Sequence, residues 1–106
     1  MPKYLLEVNY TLDGVKGVRS DGGSARVAVA KALIEGLGGT LESFHFAFGG
    51  TDVFAIAELP DNAAAAAASL AVTAGGGATG RIVVLLTAAE LDDAANKQTS
   101  YRPPGD

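Results

Sequence analysis

The chain is expected to fold as one α+β domain, four antiparallel strands with two helices on one face of the sheet. Three observations carry this expectation. Four short apolar or alternating runs, at residues 3–10, 40–48, 52–59 and 81–87, read as strands. A stretch with helical spacing lies between the first and second of them, and an alanine run between the third and fourth. The length, 106 residues, suits one domain with one core and is short for two.

Residues 3–10 place Leu5, Leu6 and Val8 between two tyrosines, a β-prone composition. Thr11 can cap a short helical turn through Leu12, Val15 and Val18, weakened by Gly14 and Gly17. After a loop over residues 20–23, Ser24 is placed to cap a helix to about Leu37. In it Val27, Ala30, Ile34 and Leu37 share one face, while Arg26, Lys31 and Glu35 stay in water. Gly38-Gly39 ends that helix. The next two strands flank Gly49-Gly50, a hairpin pattern. Pro60-Asp61 stops the second of them, and Asp61 caps the alanine helix. The last strand, RIVVLLT, is almost continuously apolar and is expected at the centre of the sheet, buried on both faces. A short helix over residues 88–95 and a polar tail over residues 96–106 follow, the tail either disordered or reaching a neighbouring subunit.

The order strand, helix, strand, strand, helix, strand gives the ferredoxin-like arrangement, βαββαβ, when both crossovers are right-handed. One sheet face is then left without helices. A chain with 48% hydrophobic residues is expected to cover it with a second copy, as a homodimer or a multiple of dimers.

Composition excludes several function classes. The net charge of −4 gives no basic face for nucleic acid. With no cysteine and one histidine, thiolate and histidine metal sites are not expected, and neither is a cofactor. No run approaches the roughly 20 apolar residues of a membrane helix, and the first residues do not read as a signal peptide. A cytoplasmic protein is expected.

A tight turn at Gly49-Gly50 pairs Phe48 with Thr51, Phe46 with Val53 and Phe44 with Ala55. The phenylalanine row then faces the helices as core. The opposite face carries His45, Asp52, Phe54 and Glu58, with His45 and Asp52 as diagonal neighbours. An aspartate there can orient an imidazole for proton transfer. Alternatively, Asp52 simply bonds turn backbone. Pro2 is a further catalytic candidate: after removal of Met1 its secondary amine, in an apolar pocket, would serve as base or nucleophile, as in tautomerases.

Asn9-Tyr10-Thr11 with Gly14, Leu37-Gly38-Gly39, Ser43-Phe44, Gly50-Thr51-Asp52 and Pro60-Asp61 together resemble the GYD-domain family of small bacterial proteins. The resemblance covers residues 4–91 and implies a ferredoxin-like, oligomeric α+β fold of the dimeric α+β barrel type, with no established activity. The naming tyrosine of that family is Thr51 here, so nothing resting on its ring carries over.

Gly75–Gly80 fits the letters G-x-G-x-x-G, but a helix precedes it and a strand follows, the reverse of a dinucleotide site. The helix start near Ser24, with Lys16, Arg19 and Arg26 close in sequence, and the acidic group Glu90, Asp92 and Asp93 read better as capped and solvated surface than as anion and cation sites. Two functional readings remain. One is a binding or assembly protein whose paired sheets enclose a small ligand among Tyr10, His45, Asp52, Phe54 and Glu58. The other is a cofactor-independent monooxygenase, isomerase or tautomerase using His45 and Asp52, or Pro2.

Overall fold

Alternation of side chains about Leu6 makes Lys3–Tyr10 the organising strand, β1, because Tyr4, Leu6 and Val8 all point to one face. The computed structural model describes residues 1–47 and 49–106. Its elements are β1, α1 (Leu12–Asp21), α2 (Gly23–Gly36), β2 (Thr40–Phe46), β3 (Val53–Glu58), α3 (Asn62–Ala74), β4 (Ala78–Leu85) and α4 (Ala88–Ala95). The four strands form one antiparallel sheet in the order β2-β3-β1-β4, with β1 and β3 central. The single four-stranded antiparallel sheet agrees with the ferredoxin-like arrangement expected from the sequence. No helix among the described residues is long and apolar enough to cross a membrane.

One face of the sheet carries the core. Val53, Ala55 and Ala57 of β3 pair with Val8, Leu6 and Tyr4 of β1 and are fully covered. From α2 comes Ile34, 2% exposed, with Leu33 and Leu37 beside it. From α3 come Ala65 and Ala68, whose short side chains bring the helix close to the strands. Two polar contacts fix its start. The Ala64 N–H donates to Asp61 Oδ1 at 2.9 Å, and the Tyr4 hydroxyl donates to Asn62 Oδ1 at 2.8 Å. Tyr4, itself 1% exposed, thus buries its ring and still satisfies its hydroxyl.

The hairpin has the register the sequence implies: Phe46 opposite Val53, Phe44 opposite Ala55 and His45 opposite Phe54. The Ala47 N–H continues the ladder to the Asp52 carbonyl at 2.8 Å. The expected pair of Phe48 with Thr51 lies outside the described residues. A bulge between Leu41 and Ser43 shifts the alternation by one. It lets both Leu41 and Phe44 face the core despite an odd spacing, and it turns Glu42 outward to meet Lys3 at 2.7 Å.

Several expectations are corrected. Residues 12–21 form a full helix, not a single turn, and α2 starts at Gly23 with Gly22 at its cap position, so Ser24 is no cap. Gly22 has φ 88°, a conformation glycine adopts freely, and it breaks what would otherwise be one continuous helix. The apolar strand β4 starts at Ala78 and is an edge strand, not a central one; Val84 and Leu86 are exposed. Its apolar character therefore comes from two faces that are each only partly covered. Phe46 faces the helices but sits on the other edge strand, 44% exposed, stacked edge-on to Phe44 at 5.2 Å.

The C-terminal part departs from the body. α4 has no buried residue, and residues 88–106 are exposed throughout. The radius of gyration is 16.8 Å, against roughly 13 Å for a compact chain of about 100 residues.

These placements separate two core substitutions. Ile34→Ala is expected to cost about 2–5 kcal/mol and Phe46→Ala only about 1–2 kcal/mol, since much of that ring is already in water. Urea unfolding of the two variants measures the difference; an equal loss would contradict the edge position of Phe46.

Candidate functional site

The chain gathers its polar short-range chemistry at one corner, where β1 ends, the β2–β3 loop returns and α1 begins. The Tyr10 N–H donates to Asp52 Oδ2 at 2.9 Å. In return the Asp52 N–H donates to Asn9 Oδ1 at 3.1 Å and to the Val8 carbonyl at 3.0 Å. A carboxylate receiving a backbone N–H makes one of the stronger hydrogen bonds of a protein surface. Asp52 thus clasps the end of β1, and the loop is anchored through it. On the other side of the strand end, Thr11 caps α1 by accepting from the Gly14 N–H at 3.2 Å. Its own hydroxyl donates to the Gly76 carbonyl at 3.0 Å, and its N–H donates to the Gly77 carbonyl at 3.0 Å. Gly14 lies flat on Gly77: a Cβ there would fall 1.8 Å from the Gly77 carbonyl oxygen. The glycine run that mimics a nucleotide motif is the seat on which α1 rests.

Behind this corner a cleft of about 430 Å³ opens between α1, α2 and α3. Tyr10 and Arg26 face it, with Val29, Leu33 and Val72 as apolar walls and Asp21 on the exposed rim. Burial pushes the Tyr10 hydroxyl up from its ordinary value. The Arg26 guanidinium, by its charge and by hydrogen bonding, pulls it the other way without prevailing, and the Asp52 carboxylate adds to the rise. The hydroxyl is therefore a neutral donor at physiological pH, held beside a guanidinium that is always charged.

The residues singled out in the sequence do not form one pocket. His45 and Phe54 are a cross-strand pair on the helix-free face, both exposed. Asp52 borders them at the end of the same strand, but its carboxylate holds the Tyr10 N–H, and no hydrogen bond joins it to His45 among the described residues. Tyr10, which alternates with Val8 and Leu6, belongs to the opposite, helix-covered face. Glu58 sits at the far end of β3 beside Lys3 and Thr40, roughly 20 Å from Asp52 at about 3.3 Å per residue. Pro2 is exposed, its carbonyl accepting from the Leu59 N–H at 3.2 Å, so no apolar pocket surrounds it in the single chain. The expected lining set is thus split by the sheet and by its length.

Arg26 is the residue the sequence reading misplaced, on the wet face of its helix. It is half-buried. Its spacing with Ala30 and Leu33 was the available signal, since residues four and seven apart share a helical stripe.

Asp52→Ala is expected to cost about 1–3 kcal/mol by leaving the Tyr10 N–H unpaired, and to speed hydrogen exchange at that amide. His45→Ala should stay within about 0.5 kcal/mol of the wild type; a reversed ranking in urea unfolding would end the clasp assignment. A second measurement reads Tyr10 directly. The folded chain holds the Tyr10 proton more tightly than the unfolded one, so stability is intact below pH of about 10 and falls as the hydroxyl ionises above it. Absorbance titration of wild type minus Tyr10→Phe should place that midpoint above about 10, and Tyr10→Phe should lose less stability than wild type as the pH is raised through this range.

The GYD domain family matches residues 4–95, from within β1 to the end of α4. No curated protein and no solved structure matches the chain. Two of the segments that resemble the family, Asn9-Tyr10-Thr11 with Gly14 and Gly50-Thr51-Asp52, are brought together at the clasp. On this match, spanning most of its length, the chain belongs to the GYD domain family.

Proposed function

We propose that this GYD domain works as a self-associating, small-ligand-binding protein, in which two copies press their helix-free sheet faces together. The observation that carries the pairing is the apolar stripe across that face. Leu5, Phe54, Ile56, Val83 and Leu85 alternate with the core residues and so point away from the helices. Phe54 and Val83 are each 39% exposed in the single chain. Such a stripe running across three adjacent strands is costly to leave in water, and a stable interface buries roughly 800 Å² per partner.

The charges on the face support the same reading. Arg81 meets Glu7 at 2.9 Å and Lys3 meets Glu42 at 2.7 Å, so these charges near the interface already have their counter-charges. A depression of about 420 Å³ lined by Glu7, Asn9, Thr51, Thr79 and Arg81 lies at the edge of the stripe, and a second copy laid on the face would enclose it. The projecting C-terminal segment adds Leu86, Leu91 and Tyr101, all exposed, as apolar contacts for a partner. Ligand binding is supported by the cleft at Tyr10 and Arg26, which is roomy and combines polar with apolar walls.

Light scattering over a dilution series tests the pairing. The wild type should be a dimer, or a multiple of dimers, at micromolar concentration. Phe54→Lys, which places a charge at the centre of the stripe, should weaken association by about 30-fold or more, equivalent to about 2 kcal/mol. A wild-type monomer at high micromolar concentration would refute the pairing.

A further inference from the structure

Leu33 and Val72 line the cleft behind the clasp and also line a second, half-open space of about 80 Å³ between α2, α3 and the inner face of the sheet. That inner cavity exists because α3 presents alanine where a larger side chain would fill the space: Ala68 on α3 and Ala30 on α2 face it from opposite sides. Its walls are otherwise mostly apolar side chains of the core, Phe44 and Ile82 among them, with Ser69 and Arg81 also in the lining. The outer cleft offers Arg26 and the Tyr10 hydroxyl. Polar mouth and apolar throat thus adjoin across Leu33 and Val72.

We propose that this joined space binds an amphipathic monocarboxylate, its carboxylate at Arg26 and Tyr10 and its hydrocarbon chain in the cavity between α2, α3 and the sheet. The inference deepens the ligand-binding half of the function proposed above, on which it rests, and is independent of the pairing. Arg26 makes no ion pair among the described residues, and unlike Lys16, Arg19 and Arg102, which also make none but are exposed, it is half-buried in the cleft. A planar guanidinium with free donors matches a carboxylate in two parallel bonds. Tyr10, kept protonated by its burial, supplies a neutral O–H donor beside it. A single cation, with Asp21 on the rim and a net charge of −4 on the chain, suits one negative charge and disfavours polyanions such as nucleotides. The throat sets the other end of the ligand. At about 10–15 Å³ per water-sized group, its volume admits roughly five to eight such groups, the bulk of a medium-length alkyl chain.

Isothermal titration of the full chain with octanoate, acetate and octan-1-ol tests this. Octanoate should bind saturably, one per chain, at least tenfold more tightly than acetate, which lacks the chain, and than octan-1-ol, which lacks the charge. Arg26→Gln should weaken octanoate at least tenfold and leave octan-1-ol unchanged. Val72→Phe, which narrows the passage, should remove the advantage of octanoate over acetate; circular dichroism confirms that both variants are folded. Equal affinity for octanoate and octan-1-ol, or octanoate binding indifferent to Arg26→Gln, overturns the carboxylate assignment while leaving a small-ligand site. Absence of binding by all three probes overturns the inference and the ligand-binding reading together, with the oligomeric state decided separately by light scattering.

Discussion

The bond from the Tyr10 N–H to the Asp52 carboxylate, with Asn9 answering to the Asp52 N–H, is the constraint on which the arrangement of this domain depends. It joins the end of a central strand to the start of its neighbour at the point where the chain also turns into α1. Without it the β2–β3 loop would be tied to β1 only by the Asp52 N–H at the Val8 carbonyl, and Tyr10 would be held only by its pairing with Ala78. Thr11 and Gly14 then transmit the same position to α1 and the Gly75–Gly77 segment through close backbone contact. A backbone donor held by a carboxylate is short-range and geometrically demanding, which is why a few residues at one corner determine the walls of a cleft formed by three helices.

The sheet has two faces with different chemistry, and each follows from side-chain alternation. Toward the helices lie Tyr4, Leu6, Val53, Ala55 and Ala57, closed by Ile34 and the alanines of α3. Those alanines let α3 approach the strands, but they cannot fill the space toward α2, and the inner cavity is the residue of that mismatch. Away from the helices, Leu5, Phe54, Ile56, Val83 and Leu85 leave an apolar surface bordered by internally paired charges. A cavity inside one face and an apolar stripe on the other are separate features, so the proposed ligand binding and the proposed self-association are physically separable in this domain.

The order of elements along the chain and the hairpin register were legible in the sequence because both rest on local rules. Glycine and proline positions bound the runs, and alternation within 44–46 and 53–55 fixes which residues face each other. The family likeness was legible for a related reason: its segments are short and local, and two of them meet at the clasp. The site was legible only in part. Tyr10 does line a cleft, yet it was grouped with His45, Phe54 and Glu58, from which the sheet separates it by face or by length. Arg26 was taken for a solvated charge because α1, the element that half-covers it, reads in the sequence as no more than a weak turn.

By itself, the sequence determined the α+β class, the order of elements, the helix-free apolar face and the pairing of Phe44 and Phe46 with Ala55 and Val53, since each follows from periodicity and turn chemistry within a few tens of residues. Only the tertiary structure decided that β4 is an edge strand, that Asp52 is committed to backbone rather than to His45, and that Tyr10 and Arg26 share a cleft. The physical reason is that these depend on which distant segments come together. Strand order places an apolar run at an edge or at the centre without changing its composition, and a carboxylate bonds to whichever donor the fold brings within 3 Å or so.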